Sequence, residues 1–107
     1  MVDHRVRIFE DNGRFWAEPG RVEAKDGEKL VIHNETGLHC EVFAPKKGVL
    51  RWSKGDESSE DWEFDIAAKN QKGEFPYQVY LYGDDKADGT GRREYAEGNS
   101  APHVIID

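Results

Sequence analysis

Cysteine is all but missing: Cys40 is the single one in 107 residues. One thiol excludes an intrachain disulfide and any zinc or iron–sulfur site built from several cysteines. Methionine is as scarce, Met1 being the only one. No stretch approaches the roughly 18–20 apolar residues of a membrane-spanning helix, so no membrane partner is expected. The opening, Met1-Val2-Asp3-His4-Arg5, lacks the apolar core of a signal peptide. The compartment is left open between cytoplasm and, for a chain whose leader has been removed, periplasm. Basic residues are outnumbered 15 to 22, a net charge of −7 that makes nucleic acid a poor partner. The excess is one-sided. Residues 1–53 carry nine basic and nine acidic side chains, whereas residues 54–107 carry six and thirteen.

Apolar residues make up 36% of the chain and charged residues 35%, a balance that can accompany disorder. Three Trp, four Tyr and five Phe set in short alternating runs argue instead for one small folded domain spanning 1–107. Every strong periodicity is two, the period of a half-buried strand. Val6 and Ile8 alternate with Arg5 and Arg7, and Phe15-Trp16-Ala17 follows the turn signal Asp11-Asn12-Gly13. Val22-Glu23-Ala24 leads through Lys25-Asp26-Gly27 into 28–34, which reads as a buried strand. Cys40–Phe43, Val49–Trp52, Trp62–Ile66, Phe75–Tyr82 and His103–Ile106 complete the pattern. Pro76 sets the start of the 75–82 strand at an edge or bulge. Ala67-Ala68-Lys69-Asn70 has room for one helical turn at most. Seven or eight strands with turn-punctuated spacing predict an all-β, antiparallel Greek-key sandwich.

Two polar segments stand out. Residues 55–63 hold five acids in nine positions and read as a solvated loop that could dock a basic partner or a cation. Residues 83–101 form a 19-residue polar connection, long for a compact domain. Within it Asp84, Asp88 and Gly89 match three positions of a calcium loop. Lys86 and Tyr95 break that pattern, which leaves a solvated turn. Arg92, Arg93 and Tyr95 could bind an anion or a carboxylate. The adjacent His39-Cys40 pair is the sharpest metal candidate, because imidazole and thiolate both suit copper or zinc. Neighbours on a strand face opposite ways, however. They could ligate together only at a strand end or bulge, or with His103 or His33 brought in by the fold. Trp16, Trp52, Trp62, Tyr77 and Tyr80 read as packing residues. No phosphate loop, carboxylate pair or Ser-His-Asp order points to an enzyme.

The order of segments resembles the cupredoxins, the β-sandwich of blue-copper proteins, over residues 5 to 106. Phe15–Asn34 looks like the family's strand, Gly-Asp-type turn, strand and Asn. Gly37-Leu38-His39-Cys40-Glu41-Val42-Phe43 is similar to the stretch whose histidine is the first copper ligand, with His39 at that position. Gly73–Leu81 looks like the strand that ends in the ligand cysteine, and Gly98–Ile106 resembles the closing strand. A blue-copper centre uses a thiolate, two imidazoles and usually a weak axial Met. The resemblance puts Leu81 at the thiolate position, and residues 82–93 contain neither His nor Met. It also implies that the 35–39 and 83–101 loops share one end of the sandwich. The expectation is a non-catalytic binding module that has lost its copper site, with no cofactor, an unidentified protein or small-ligand partner, and contacts from Arg92, Arg93 and Tyr95. The alternative is a copper protein with a non-standard site of His39, Cys40 and His103.

Overall fold

The computed structural model describes residues 3–44, 48–56, 58–69, 71–82, 94–95 and 102–106, the pair 94–95 by its backbone alone. Eleven strands form among them: β1 (Asp3–Asp11), β2 (Arg14–Glu18), β3 (Arg21–Ala24), β4 (Lys29–Asn34), β5 (His39–Phe43), β6 (Leu50–Lys54), β7 (Asp61–Ile66), β8 (Gly73–Pro76), β9 (Gln78–Tyr82), β10 (Glu94–Tyr95) and β11 (His103–Ile106). No helix is present among the described residues, and so none that is long and apolar enough to cross a membrane.

The strands make a five-stranded sheet in the order β2-β1-β4-β7-β6 and two three-stranded sheets, β10-β9-β5 and β3-β11-β8. One cluster of buried side chains draws on all three, including Val6, Ile8, Leu30, Ile32 and Phe64 from the first sheet, Cys40, Val79 and Leu81 from the second, and Val22, Phe75 and Val104 from the third. The alternation that marks each strand in the sequence is the alternation of burial. In β7, for example, Trp62, Phe64 and Ile66 face the core, while Asp61 and Glu63 are half-buried and Asp65 is exposed.

Three details depart from the sequence expectation. The apolar run 75–82 is not one strand but two, in different sheets. Pro76 has no N–H to continue a ladder, and the chain changes sheets across Tyr77, whose N–H donates to the Pro102 carbonyl (3.0 Å). The strand count is eleven against the seven or eight expected: each of the nine alternating runs forms strand, the 75–82 run splits in two, and β10 pairs with β9 inside the 83–101 segment. Two ladders, β1–β4 and β3–β11, are parallel within an otherwise antiparallel framework. The chain leaves the first sheet after β2, runs through β3 in another, and returns as β4 beside β1 in the same direction.

The outer face of the five-stranded sheet is charged. Arg7 holds Glu35 through two hydrogen bonds (2.5 and 3.2 Å), and Lys29 and Lys54 lie 3.8 and 3.6 Å from Glu63. His4 contacts the Glu28 carboxylate at 2.8 Å. The hydrogen bond from Arg7 depresses the Glu35 pKa, and those from His4 and the Lys25 N–H depress that of Glu28. The Ser58 hydroxyl, with the Ser58 N–H and Ser59, does the same for Asp56. A carboxylate whose folded-state pKa lies below its unfolded one stabilises the fold at all pH above the unfolded value. That contribution is lost as pH falls through the folded value. Stability is therefore expected to decline with acidification from about the ordinary 4.5 of a glutamate downward. Urea midpoints at pH 7, 5, 4 and 3 measure this, and Glu35→Gln should flatten the fall.

Candidate functional site

The first candidate is the His39-Cys40 pair. Antiparallel pairing sets His39 opposite Tyr82 and Cys40 opposite Leu81. The two pairs lie on opposite faces of the sheet. Cys40 and Leu81 are sealed in the core, 0% and 1% exposed. His39 stacks on the Tyr82 ring, centroids 5.5 Å apart, and Tyr82 donates its hydroxyl to Glu41 (3.2 Å). Burial pushes the Cys40 thiol up to about 12, with the Glu41 charge adding to the shift. A thiol there keeps its proton at neutral pH. His103 is on β11, in register with Arg21 and Pro76 of a different sheet.

Among the described residues no group of three or more His, Cys, Asp or Glu side chains is placed to hold a metal ion. Leu81, at the position the resemblance assigns to the thiolate, offers no donor atom. Among the described residues, then, His39, Cys40 and His103 are not gathered at one point. A direct check is thiol accessibility. A rise from 9.0 to about 12 cuts the thiolate fraction about a thousandfold near neutrality. Cys40 is expected to resist an aromatic disulfide reagent in the native protein and to react fully in strong denaturant. Rapid native labelling would contradict the buried placement.

Arg92 and Arg93, like the calcium-loop-like stretch 84–89, lie outside the described residues. Tyr95 is known by its backbone, which pairs with Tyr80 of β9. The His39–Tyr82 pairing sets the 35–38 turn and the end of β9 at the same end of the sandwich. Of the aromatic set read as packing, Trp62 and Tyr77 are buried and Trp16 and Tyr80 half-buried. Trp52 is 61% exposed, with its indole N–H donated to the Gly55 carbonyl (3.0 Å).

A second arrangement involves residues that the sequence reading did not join. His33, near the end of β4, meets Asp61, at the start of β7, with Nδ1 2.6 Å from Oδ1. Asn34, 6% exposed, ties down the following turn by donating from Nδ2 to the Leu38 carbonyl (2.8 Å). Its Oδ1 accepts from the Thr36 N–H and hydroxyl. Across from it, Asp56 organises a second turn by accepting from both Ser58 and Ser59 hydroxyls. The Asn34 N–H donates to the Glu60 carbonyl (2.7 Å) and joins the two turns. Between them lies a cavity of about 350 Å³, lined in part by His33, Glu35, Leu38, Ser59 and Glu60. A signal for the contact was present. Lys29 and His33 are spaced four apart, as are Asp61 and Asp65, so antiparallel pairing sets each base opposite an acid.

Comparison with known proteins turns on the fold. A purple cupredoxin from Nitrosopumilus maritimus superposes on 98% of this chain and 100% of its own, with a TM-score of 0.55 and 12% identity. The fold is cupredoxin-like. The resemblance read from the segment order therefore holds at the level of architecture. No family model matches the sequence, and no curated protein matches it. Within this cupredoxin-like sandwich, β5 and β9 are the neighbouring strands whose ends present His39 and Tyr82.

Proposed function

We propose that this chain is a non-catalytic binding module on a cupredoxin-like sandwich, working without a blue-copper centre. The observation that carries the reading is the pairing of Cys40 with Leu81 inside the core, on the face opposite His39. The only thiol is thus turned away from the imidazole beside it, and segment 83–101 contributes no His, Cys or Met. A polar segment of that length carrying Arg92, Arg93 and Tyr95 then serves recognition of an anionic ligand or an acidic partner surface.

Metal content of tag-free protein by mass spectrometry, followed by Cu(I), Cu(II) and Zn(II) titration, tests the first half. No stoichiometric metal is expected. Metal at one equivalent that is lost in His39→Ala and in Cys40→Ala would overturn it in favour of a His39, Cys40 and His103 site. A hexaglutamate probe tests the second half: binding should weaken in the Arg92→Ala, Arg93→Ala double variant. Unchanged binding removes those residues from the assignment.

A further inference from the structure

The geometry points to the cavity between the 34–38 turn and residues 58–60 as a binding site for an organic cation, an alkylammonium or guanidinium group. This is a different site from the Arg92–Arg93 segment and takes ligands of the opposite charge, so either assignment can fail without the other. Its volume of about 350 Å³ lies within the range of small-ligand sites. Both walls are braced before any ligand arrives, one by Asn34 and the other by Asp56, with the Asn34–Glu60 backbone bond between them. A braced site spends little binding energy on ordering itself.

Selectivity follows from which polar groups are left over. Most side-chain donors on the walls are committed: one Asn34 Nδ2 proton to Leu38, and both serine hydroxyls to Asp56. What remains is mainly acceptors. With Asp61 as a carboxylate, the short contact makes His33 Nδ1 the donor. In the neutral tautomer this leaves a lone pair on Nε2, an atom with no partner among the described residues. The Glu60 carboxylate likewise has none. Glu35 is held by Arg7, but a carboxylate offers about four acceptor sites and two are taken. Arg7 does not line the cavity, and Arg5, 3.9 Å from Asp61, does not either. An imidazole nitrogen and two carboxylates around a half-buried Leu38 suit a ligand rich in N–H donors with a short alkyl stem. A metal ion is the poorer match, since no three of the described His, Cys, Asp and Glu side chains converge on one point.

The test is a titration of ¹⁵N-labelled protein, followed by amide chemical shifts, with three probes. These are agmatine, a blocked Gly-Arg-Gly peptide, and a blocked Gly-norleucine-Gly peptide as the neutral control. Saturable shifts confined to residues 33–38 and 58–61 are expected with a cationic probe and not with the control. Agmatine binding alone marks a free small amine as the ligand, whereas peptide binding at least as tight marks a partner's side chain. Glu60→Gln, at an exposed position that leaves the fold intact, should weaken the cation about tenfold. Equal shifts with norleucine, no saturation, or indifference to Glu60→Gln would overturn the assignment. So would Zn(II) binding at one equivalent through the same residues with no response to agmatine.

Discussion

Replacing Ile32 by alanine is expected to remove roughly 2–5 kcal/mol of stability, a large share of the roughly 5–15 kcal/mol typical of a whole domain. Ile32 is 0% exposed on β4, the middle strand of the five-stranded sheet, and its register partners Val6 and Trp62 are core residues too. The core cluster that Ile32 belongs to draws on all three sheets, which cannot all move in to fill a truncation. The neighbouring Val31 supplies the control. It is 4% exposed, nearly as buried, yet it is no member of the core cluster. Its partners across the sheet are Arg5 and Glu63, long side chains with flexible methylene stems. Such stems can settle into the gap, so Val31→Ala should cost only about 1.6 kcal/mol, the transfer of its two lost methyls with little cavity penalty. Urea unfolding of both variants measures the difference. Equal losses would mean that the two faces are packed alike.

Gly55→Ala is the second large expected effect, about 3 kcal/mol. Gly55 has φ = 120°, where a side chain is strained whatever the space around it. Here there is no space either. A Cβ would sit 2.9 Å from Trp62 Cγ and 3.0 Å from both the Trp62 Cα and the Asp61 carbonyl oxygen. Two of those three atoms are backbone and cannot swing aside. Gly13 separates the two contributions. Its φ is 78° and an added methyl would meet nothing within 4 Å, so Gly13→Ala should cost only the left-handed strain of about 1 kcal/mol. Thermal melts of the two variants decide: similar losses would show that strain alone governs Gly55.

What the sequence revealed, and what it withheld, follows from range. Alternation is local, so Val6 and Ile8, Trp62 to Ile66, and Val104 to Ile106 are legible as strands from their own few residues. Partner choice is not local. Nothing near Phe75 or Val79 states that Pro76 hands one to the β11 sheet and the other to the β5 sheet. Parallel pairing of β1 with β4 depends on where β3 goes in between. The same limit applies to the sites. His39 and Cys40 are adjacent, and their opposite facing is readable from strand parity. The His33–Asp61 contact needs the β4–β7 register, which complementary charge spacing suggests only once the two strands are known to be neighbours. Trp52 shows the reverse case. Its register partner Phe64 is buried, yet the indole is exposed, because parity fixes a direction and says nothing about how far the opposing layer extends.

Strand β11 has a consequence for the order of events during synthesis. It is the middle strand of its sheet, pairing with β3 on one side and β8 on the other. Neither neighbour has its ladder until β11 arrives, although β3 left the ribosome some eighty residues earlier. Pairing over such separation is slow, because a long loop must close before any contact repays it. The nascent chain thus carries two unzipped edges until β11 emerges, and the β3-β11-β8 sheet assembles after that point and not during the elongation before it.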